Sequence, residues 1–267
     1  MNGWNALLEE WNFPAVLIIV MLIFLYWIRK AYGNMHTGFW HWFALFAALI
    51  LAVFALISPL SYLAKKYLFF AHMVRHVLVL MVIPALFWAS VAKHDITPAE
   101  IKMEKLLYKP LITWPLFLCV MWLLHVPEVV AKVSSEKYAS IDFQAWVAVL
   151  SLLAGIWFYF PVLGMRSIRA MHPLRCVAYL VTACIGCSLL GIAIAFSPKL
   201  LYPGFTGTDP SDPVSVLVRN VWKIQPRTDQ QIAGLIMWVP GCLIYLSVSM
   251  SILFSWLRKG DREKAVA

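Results

Sequence analysis

Two histidines and an arginine interrupt the apolar segment LFFAHMVRHVLVLMVIPALFW, which covers residues 68–88. His72 and His76 are four positions apart, so on a helix both rings lie on one face, about 6 Å apart along the axis. This spacing allows both rings to ligate one metal ion, or one ring to ligate while the other supports it. The competing interpretation is that both rings only pack in a helical bundle. Arg75 beside them favours a functional role, because polar groups in such a segment are costly and need partners.

His125 is a further candidate ligand. In the segment MWLLH, Met121 precedes it by four residues, so a thioether and an imidazole share one side of a helix. With His72 and His76, this pair suits Cu(I), because soft ligands such as thioethers select that ion. Methionine on an apolar helix also packs without any metal, so Met121 carries little weight by itself.

Arg75 lies on a face next to that of the two histidines. We expect it to snorkel towards the membrane surface or to form an ion pair. Three acidic residues are placed at the same end of the predicted spans as this arginine. They are Glu128, Asp142 and Asp229.

The segment RTDQQIAGLIMWVPG, residues 227–241, begins another apolar run with polar residues. Asp229 in its first turn is favoured by the helix dipole, so a structural role is sufficient for it. Gln231 lies near the lipid boundary, and we expect it to face the bundle. Gly234 permits another helix to approach closely.

Two cysteines form a CxxC motif inside an apolar run, Cys184 and Cys187. On a helix they lie one turn apart, and a metal or redox role is one interpretation. The alternative is that they act as small apolar residues, which is the usual behaviour of buried cysteines. The five cysteines of the chain lie in or next to apolar runs, and we infer no disulfide framework.

The composition indicates which elements position these side chains. Of 267 residues, 62% are hydrophobic and only 13% are charged, which is typical of a membrane protein. A helix needs roughly 20 apolar residues to cross the hydrocarbon layer, and seven such runs are present. They are residues 14–29, 39–58, 67–90, 107–126, 143–163, 174–197 and 229–257. We therefore predict an all-α, polytopic membrane helical bundle of seven transmembrane helices that forms a single domain over residues 1–267.

The distribution of Lys and Arg predicts the orientation of this bundle. Most of them lie in one set of alternate connections, which places the N-terminus outside and the C-terminus in the cytoplasm. His72, His76 and His125 then reach the outer half of the membrane, and residues 198–228 form an outer loop. The net charge of +9 is explained by anchoring at the inner face, and no nucleic-acid partner is indicated.

Four segments in this order on a seven-helix chain resemble a known family. They are SPLSYLAKKYLFFAHMVRHVLVLMVIPALFW (58–88), LLHVPEVV (123–130), AGIWFYFPVLG (154–164) and DQQIAGLIMWVPG (229–241). The chain is similar over residues 40–257 to the CtaG family of membrane-embedded cytochrome c oxidase assembly factors. The resemblance implies a multi-pass protein of the bacterial plasma (inner) membrane that is needed to mature a haem-copper oxidase and handles copper at the outer face.

The same resemblance assigns roles to individual residues. The family's HMxxH segment corresponds to His72 and His76, and its DQQ segment begins with Asp229 and contains Gln231. This chain departs from the family at the entrance to the fifth span, where SIDFQAW carries Asp142 in place of the histidines often found there. Without those imidazoles, we expect weaker copper binding or a structural role.

These observations predict a non-enzymatic assembly factor that holds copper through His72 and His76, helped by His125 and Met121. Its partners would be subunits of cytochrome c oxidase or of another respiratory complex, which contact the outer loop, and the lipid bilayer. One alternative is a haem-binding membrane redox protein, in which His72 or His76 pairs with His125 as axial ligands. Another is a structural accessory subunit of a respiratory complex, which binds neither metal nor haem.

Overall fold

The structure of the protein is a computed structural model that describes residues 3–11, 38–90, 102, 105–133, 141–164, 171–205 and 211–266. In these ranges it is helical and has no strand, which confirms the predicted all-α class. The α-helices are α1 (Gly3–Leu8), α2 (Phe39–Leu56), α3 (Pro59–Lys66), α4 (Phe69–Val77), α5 (Ile83–Ser90), α6 (Pro110–Leu123), α7 (Pro127–Val133), α8 (Ile141–Tyr159), α9 (Pro173–Ala195), α10 (Pro213–Val216) and α11 (Pro226–Val266).

Five of the described segments are long and apolar enough to cross a membrane, as expected of a multi-pass protein. They are Phe39–Leu56, Phe69–Ser90, Trp146–Gly164, Pro173–Ala195 and Pro226–Arg258. The predicted fourth span corresponds to the shorter apolar helix α6. The predicted first span, residues 14–29, lies outside the described residues, so the total of seven spans stays a prediction.

Proline begins several of these helices. Pro59, Pro110, Pro173 and Pro213 each occupy the first turn, where the missing N–H of proline has no helical partner in any case. The first residues of α4 begin differently, because no side chain next to them in the sequence caps them. The acceptor for their N–H groups comes from α11 and is described below.

The span that carries the two histidines is not a uniform α-helix. After α4 the chain makes one π-helical turn, Leu78–Val82, and then continues as α5. Similar wide turns follow α8 at Phe160–Gly164 and α10 at Leu217–Val221. A π-helical turn holds one residue more than an α-turn, so the faces of α4 and α5 do not follow one common helical period.

Helices α9 and α11 approach each other closely at two glycines, Gly191 and Gly234. A Cβ atom on Gly234 would lie 2.5 Å from the backbone nitrogen of Ala195 and 2.6 Å from the carbonyl oxygen of Gly191. Only glycine fits at such a crossing. The close approach predicted for Gly234 is therefore confirmed.

The connection between α9 and α11 folds over one end of the bundle, which we call the loop end. It includes the short helices Pro203–Phe205 and α10. The run VSVLVRNVW, residues 214–222, buries Val214, Leu217 and Val218 against α1 and α3, in a cluster with Tyr67 and Leu68. The loop end therefore lies beside the start of α4, which carries His72 and His76.

Candidate metal centre

His76 and His125 are in contact at the loop end of the bundle. Their ring centroids are 4.6 Å apart and the ring planes are nearly perpendicular, at 86°. His76 lies on α4 and is 8% exposed, while His125 directly follows α6 and is 3% exposed. Two elements that are distant in sequence thus bring two imidazoles together away from solvent.

The hydrogen bonds of His125 determine which of its nitrogens carries a proton. Its Nδ1 lies against the backbone carbonyl oxygen of Met121. Since a carbonyl oxygen only accepts, Nδ1 is the donor, and Nε2 is left with its lone pair. This Nε2 lies 3.3 Å from the sulfur of Met73. The Nδ1–H of His125 therefore donates to a backbone carbonyl, as is common in metal-ligating histidines. The lone pair of its Nε2 faces the thioether of Met73.

The buried Nε2 of His76 has no hydrogen-bond partner. Buried polar atoms in folded proteins are nearly always paired, and an unpaired one costs stability. This nitrogen belongs to the ring that contacts His125. His76, His125 and Met73 thus provide two imidazoles and one thioether, a donor set that fits a soft ion such as Cu(I).

The third histidine, His72, extends this arrangement along α4. Its ring centroid is 6.3 Å from that of His76 and the two rings are nearly parallel, at 12°. On its other sides it lies against the aromatic rings of Phe69, at 6.0 Å, and Phe205, at 5.6 Å. His72 is more exposed than His76. His72 therefore lies at the edge of the buried group formed by His76, His125 and Met73.

The sequence predicts that the thioether of Met121 lies beside His125, but the structure places a different methionine there. The sulfur of Met121 lies 3.2 Å from the sulfur of Cys187, and its backbone carbonyl oxygen accepts from the Nδ1 of His125. The thioether next to the Nε2 of His125 is thus that of Met73, and the role of Met121 as a metal ligand stays a prediction. Met73 lies within the HMxxH segment, three residues before His76, so the two side chains share one side of α4.

A larger cluster of protein ligands is absent from the described part of the chain. There, no three His, Cys, Asp or Glu side chains are grouped closely enough to hold a metal ion. The candidate centre therefore depends on the methionine sulfur in addition to the two imidazoles.

Asp229 holds the helix that carries these histidines. Its two carboxylate oxygens each accept a backbone hydrogen bond of 2.8 Å, one from the N–H of Phe69 and one from the N–H of Phe70. The first N–H groups of any helix lack partners within it, so Asp229 caps α4 from another helix. Asp229 is 1% exposed, and the two amide donors and the charge of Arg219 favour its carboxylate form against the cost of burial.

The next residue, Gln230, ties α11 to the end of α9. Its side-chain oxygen accepts from the N–H of Leu201 at 2.6 Å, and its amide nitrogen donates to the carbonyls of Ile194 and Lys199. Gln231 is exposed. The prediction that Gln231 faces the bundle is therefore wrong, because the helix is rotated so that Gln230 points inwards.

The family model of the cytochrome c oxidase caa3 assembly factors, Caa3_CtaG, matches residues 20–259 of the chain. The protein belongs to this family. The resemblance seen in the sequence is thereby confirmed, and the matched range contains the whole candidate metal centre. No curated protein and no solved structure matches the chain.

The ion-pair partner of Arg75 in this Caa3_CtaG protein stays a prediction. Asp229 is engaged by two amides and lies near Arg219, and the side chain of Asp142 is outside the described residues. Arg75 is partly buried on α4, and its positive charge repels that of Lys65 on α3. Burial and, to a lesser extent, the charge of Arg75 lower the pKa of Lys65.

Two further residues of this family member support the centre and were not singled out from the sequence. Arg219 donates to the carbonyls of Tyr67 and Phe205, and so fixes the chain just before α4. Tyr202 donates its hydroxyl to the carbonyl of His125 at 2.7 Å and stacks on Phe69 at 3.9 Å, and burial raises the pKa of this tyrosine. Nothing local in the sequence marks them, because both act on residues distant in the chain.

Proposed function

We propose that this protein is a non-enzymatic assembly factor that binds copper at the outer face of the bacterial plasma membrane and passes it to a cytochrome c oxidase subunit. Family membership supports the role in oxidase assembly. One observation carries the copper proposal: the buried, unpartnered Nε2 of His76 belongs to a ring in contact with His125, whose own Nε2 faces the sulfur of Met73.

The spacing of the two rings suits a bent arrangement around one ion. With metal–nitrogen bonds of about 2 Å, two imidazoles at a tetrahedral angle have centroids about 5 Å apart, and the observed separation is 4.6 Å. The same bond length on opposite sides of one iron, as in axial haem ligation, places the centroids about 6 Å apart. The geometry therefore favours copper over a haem held between His76 and His125.

Neutral ligands make the bound ion easy to pass on. Imidazole and thioether bind Cu(I) without losing a proton, so release requires only an exchange of ligands and no reprotonation. His72 lies at the edge of the set, beside Phe205 of the loop end. We propose that His72 receives or hands over the ion, and that the loop end contacts the oxidase subunit there.

The test compares His76→Ala/His125→Ala with His41→Ala, a variant on α2 away from the centre. Copper binding is measured on purified protein in detergent under reducing conditions, by competition with a Cu(I) chelator of known affinity. We expect the double variant to lose Cu(I) affinity by more than about 100-fold, since even supporting residues of metal sites contribute 10–100-fold. We expect the His41→Ala variant to bind like the unmodified protein.

The biological part of the test measures copper content and activity of the oxidase in membranes of cells that carry each variant. Lower values are expected only for the double variant. If that variant binds copper normally and matures the oxidase normally, the proposal is wrong. A stoichiometric Soret band in the absorption spectrum of the purified protein would favour the haem alternative instead.

A further inference from the structure

A second group of soft ligands lies in the middle of the bundle, away from the candidate metal centre. The sulfur atoms of Cys184 on α9 and Cys242 on α11 are 3.1 Å apart. Cys184 lies eleven residues before the end of α9 at Ala195, which is about 16 Å from that end at 1.5 Å per residue. The pair is therefore well separated from the loop end.

We propose that Cys184 and Cys242 form a second binding site for a soft monovalent ion of the Cu(I) class. Each cysteine comes from a different helix, and their sulfurs face each other across the α9–α11 interface. Thiolates are the side chains that select such ions. The hydroxyl of Ser188 lies 3.0 Å from the Cys242 sulfur and provides a polar neighbour in this apolar region.

The net charge of the ion with its two cysteines determines how many thiol protons are lost on binding. A net charge buried in an apolar interior is costly, whereas one Cu(I) and one thiolate cancel each other. One cysteine therefore loses its proton to solvent as its S–H bond is replaced by a metal–sulfur bond, and the other sulfur binds as a neutral donor. No oxidant or reductant is involved in this step.

A second pair of sulfurs connects this site to the loop end. Cys187 follows Cys184 by one turn of α9, and its sulfur lies 3.2 Å from that of Met121. The backbone of Met121 in turn contacts His125. Sulfur and imidazole side chains thus lie one after another from the candidate metal centre to the cysteine pair in the middle of the bundle. Transfer of an ion along these side chains rests on the proposed function, whereas binding at the cysteine pair does not.

The experiment counts the Cu(I) ions that the reduced protein keeps in detergent against a competing Cu(I) chelator, which removes ions held by single thiols. We expect two ions per chain in the unmodified protein and one in Cys184→Ser/Cys242→Ser. Cys119→Ser is the matched control, because Cys119 is exposed on α6, and it should keep both ions. The inference is overturned if the double cysteine variant keeps a normal helical circular dichroism spectrum and still binds two ions.

Two further readouts separate this inference from the proposed function. His76→Ala/His125→Ala should lose the other ion and keep the one at the cysteines, whose X-ray absorption spectrum should show sulfur ligands. If the histidine variant keeps both ions while the cysteine variant loses one, the proposed copper centre fails and the second site stands. In the unmodified protein, Cu(I) supplied with the same chelator should slow N-ethylmaleimide labelling of Cys184 and Cys242 at least tenfold, and unchanged labelling would contradict the site.

Discussion

Two neighbouring turns of α11 hold the bundle together in different ways. In the first turn, Asp229 and Gln230 are each 1% exposed and form hydrogen bonds to the backbone of other segments. One turn further, Gly234 has no side chain at all, and the backbone of α9 lies directly against it. Packing at the first turn therefore requires the polar side-chain atoms of Asp229 and Gln230, whereas packing at the second turn requires that Gly234 has no side chain.

The difference extends to the two ligand sets. Asp229 positions the start of α4 and thereby His76, so the candidate metal centre depends on hydrogen bonds. The glycine crossing positions α9 against α11, so the Cys184–Cys242 pair depends on packing. A polar contact is partly restored by another acceptor, whereas a close backbone approach tolerates no added atom. The two turns should therefore respond differently to conservative substitutions.

The largest effect is expected from Asp229→Ala. The variant leaves the buried N–H groups of Phe69 and Phe70 without acceptors, and each such group costs about 1–3 kcal/mol. We expect the free energy of unfolding in detergent to fall by about 2–6 kcal/mol and Cu(I) affinity to fall with it. Asp229→Asn is the control, since its one carbonyl oxygen should restore about half of the loss. Equal stability of the alanine variant and the unmodified protein would contradict the capping role.

A smaller effect is expected from Gly234→Ala. The added methyl group would lie 2.5 Å from the nitrogen of Ala195, and such overpacking costs about 1–3 kcal/mol. Gly241→Ala is the matched control on the same helix, because the nearest atom to its new Cβ would be 3.8 Å away, in Met81. Thermal unfolding should separate the two variants. If they unfold at the same temperature, the crossing is looser than the structure shows.

The smallest effect is expected from the neighbouring glutamines. Gln230→Ala removes three hydrogen bonds and leaves the N–H of Leu201 unpaired, which should cost about 1–2 kcal/mol. Gln231→Ala changes an exposed side chain and should stay within about 0.5 kcal/mol of the unmodified protein. Denaturant unfolding of the pair measures the difference, and a reversed order would mean that α11 is rotated from its position here.

The sequence predicts the helical class and the positions of the described apolar helices because a membrane span needs a long apolar run, which is a local property. The i, i+4 spacing of His72 and His76 is equally local. Gln231 shows the limit of this reasoning. Adjacent residues on a helix differ by about 100° in direction, and only the packing of α11 against α9 determines that Gln230 is the inward one.

The predicted orientation brings His76 and His125 from separate spans to one end of the bundle, but it does not select which other side chains contact each other there. The sequence pattern pairs His125 with Met121 because both lie on one helical run, whereas Met73 comes from another helix. Likewise, the CxxC motif pairs Cys184 with Cys187 in sequence, while in space the sulfur next to Cys184 is that of Cys242. Such pairs follow from how helices pack, which no single segment encodes.

The π-helical turn after α4 separates the histidine-bearing half of its span from the other half. Because Leu78–Val82 contains one residue more than an α-helical turn, the rotation of α5 about its axis is offset from that of α4. α5 therefore packs against α2 with one rotation about its axis, and α4 presents His76 to His125 with another. Removal of a single residue from this turn would couple the two halves and turn His76 out of line with His125 by about 100°.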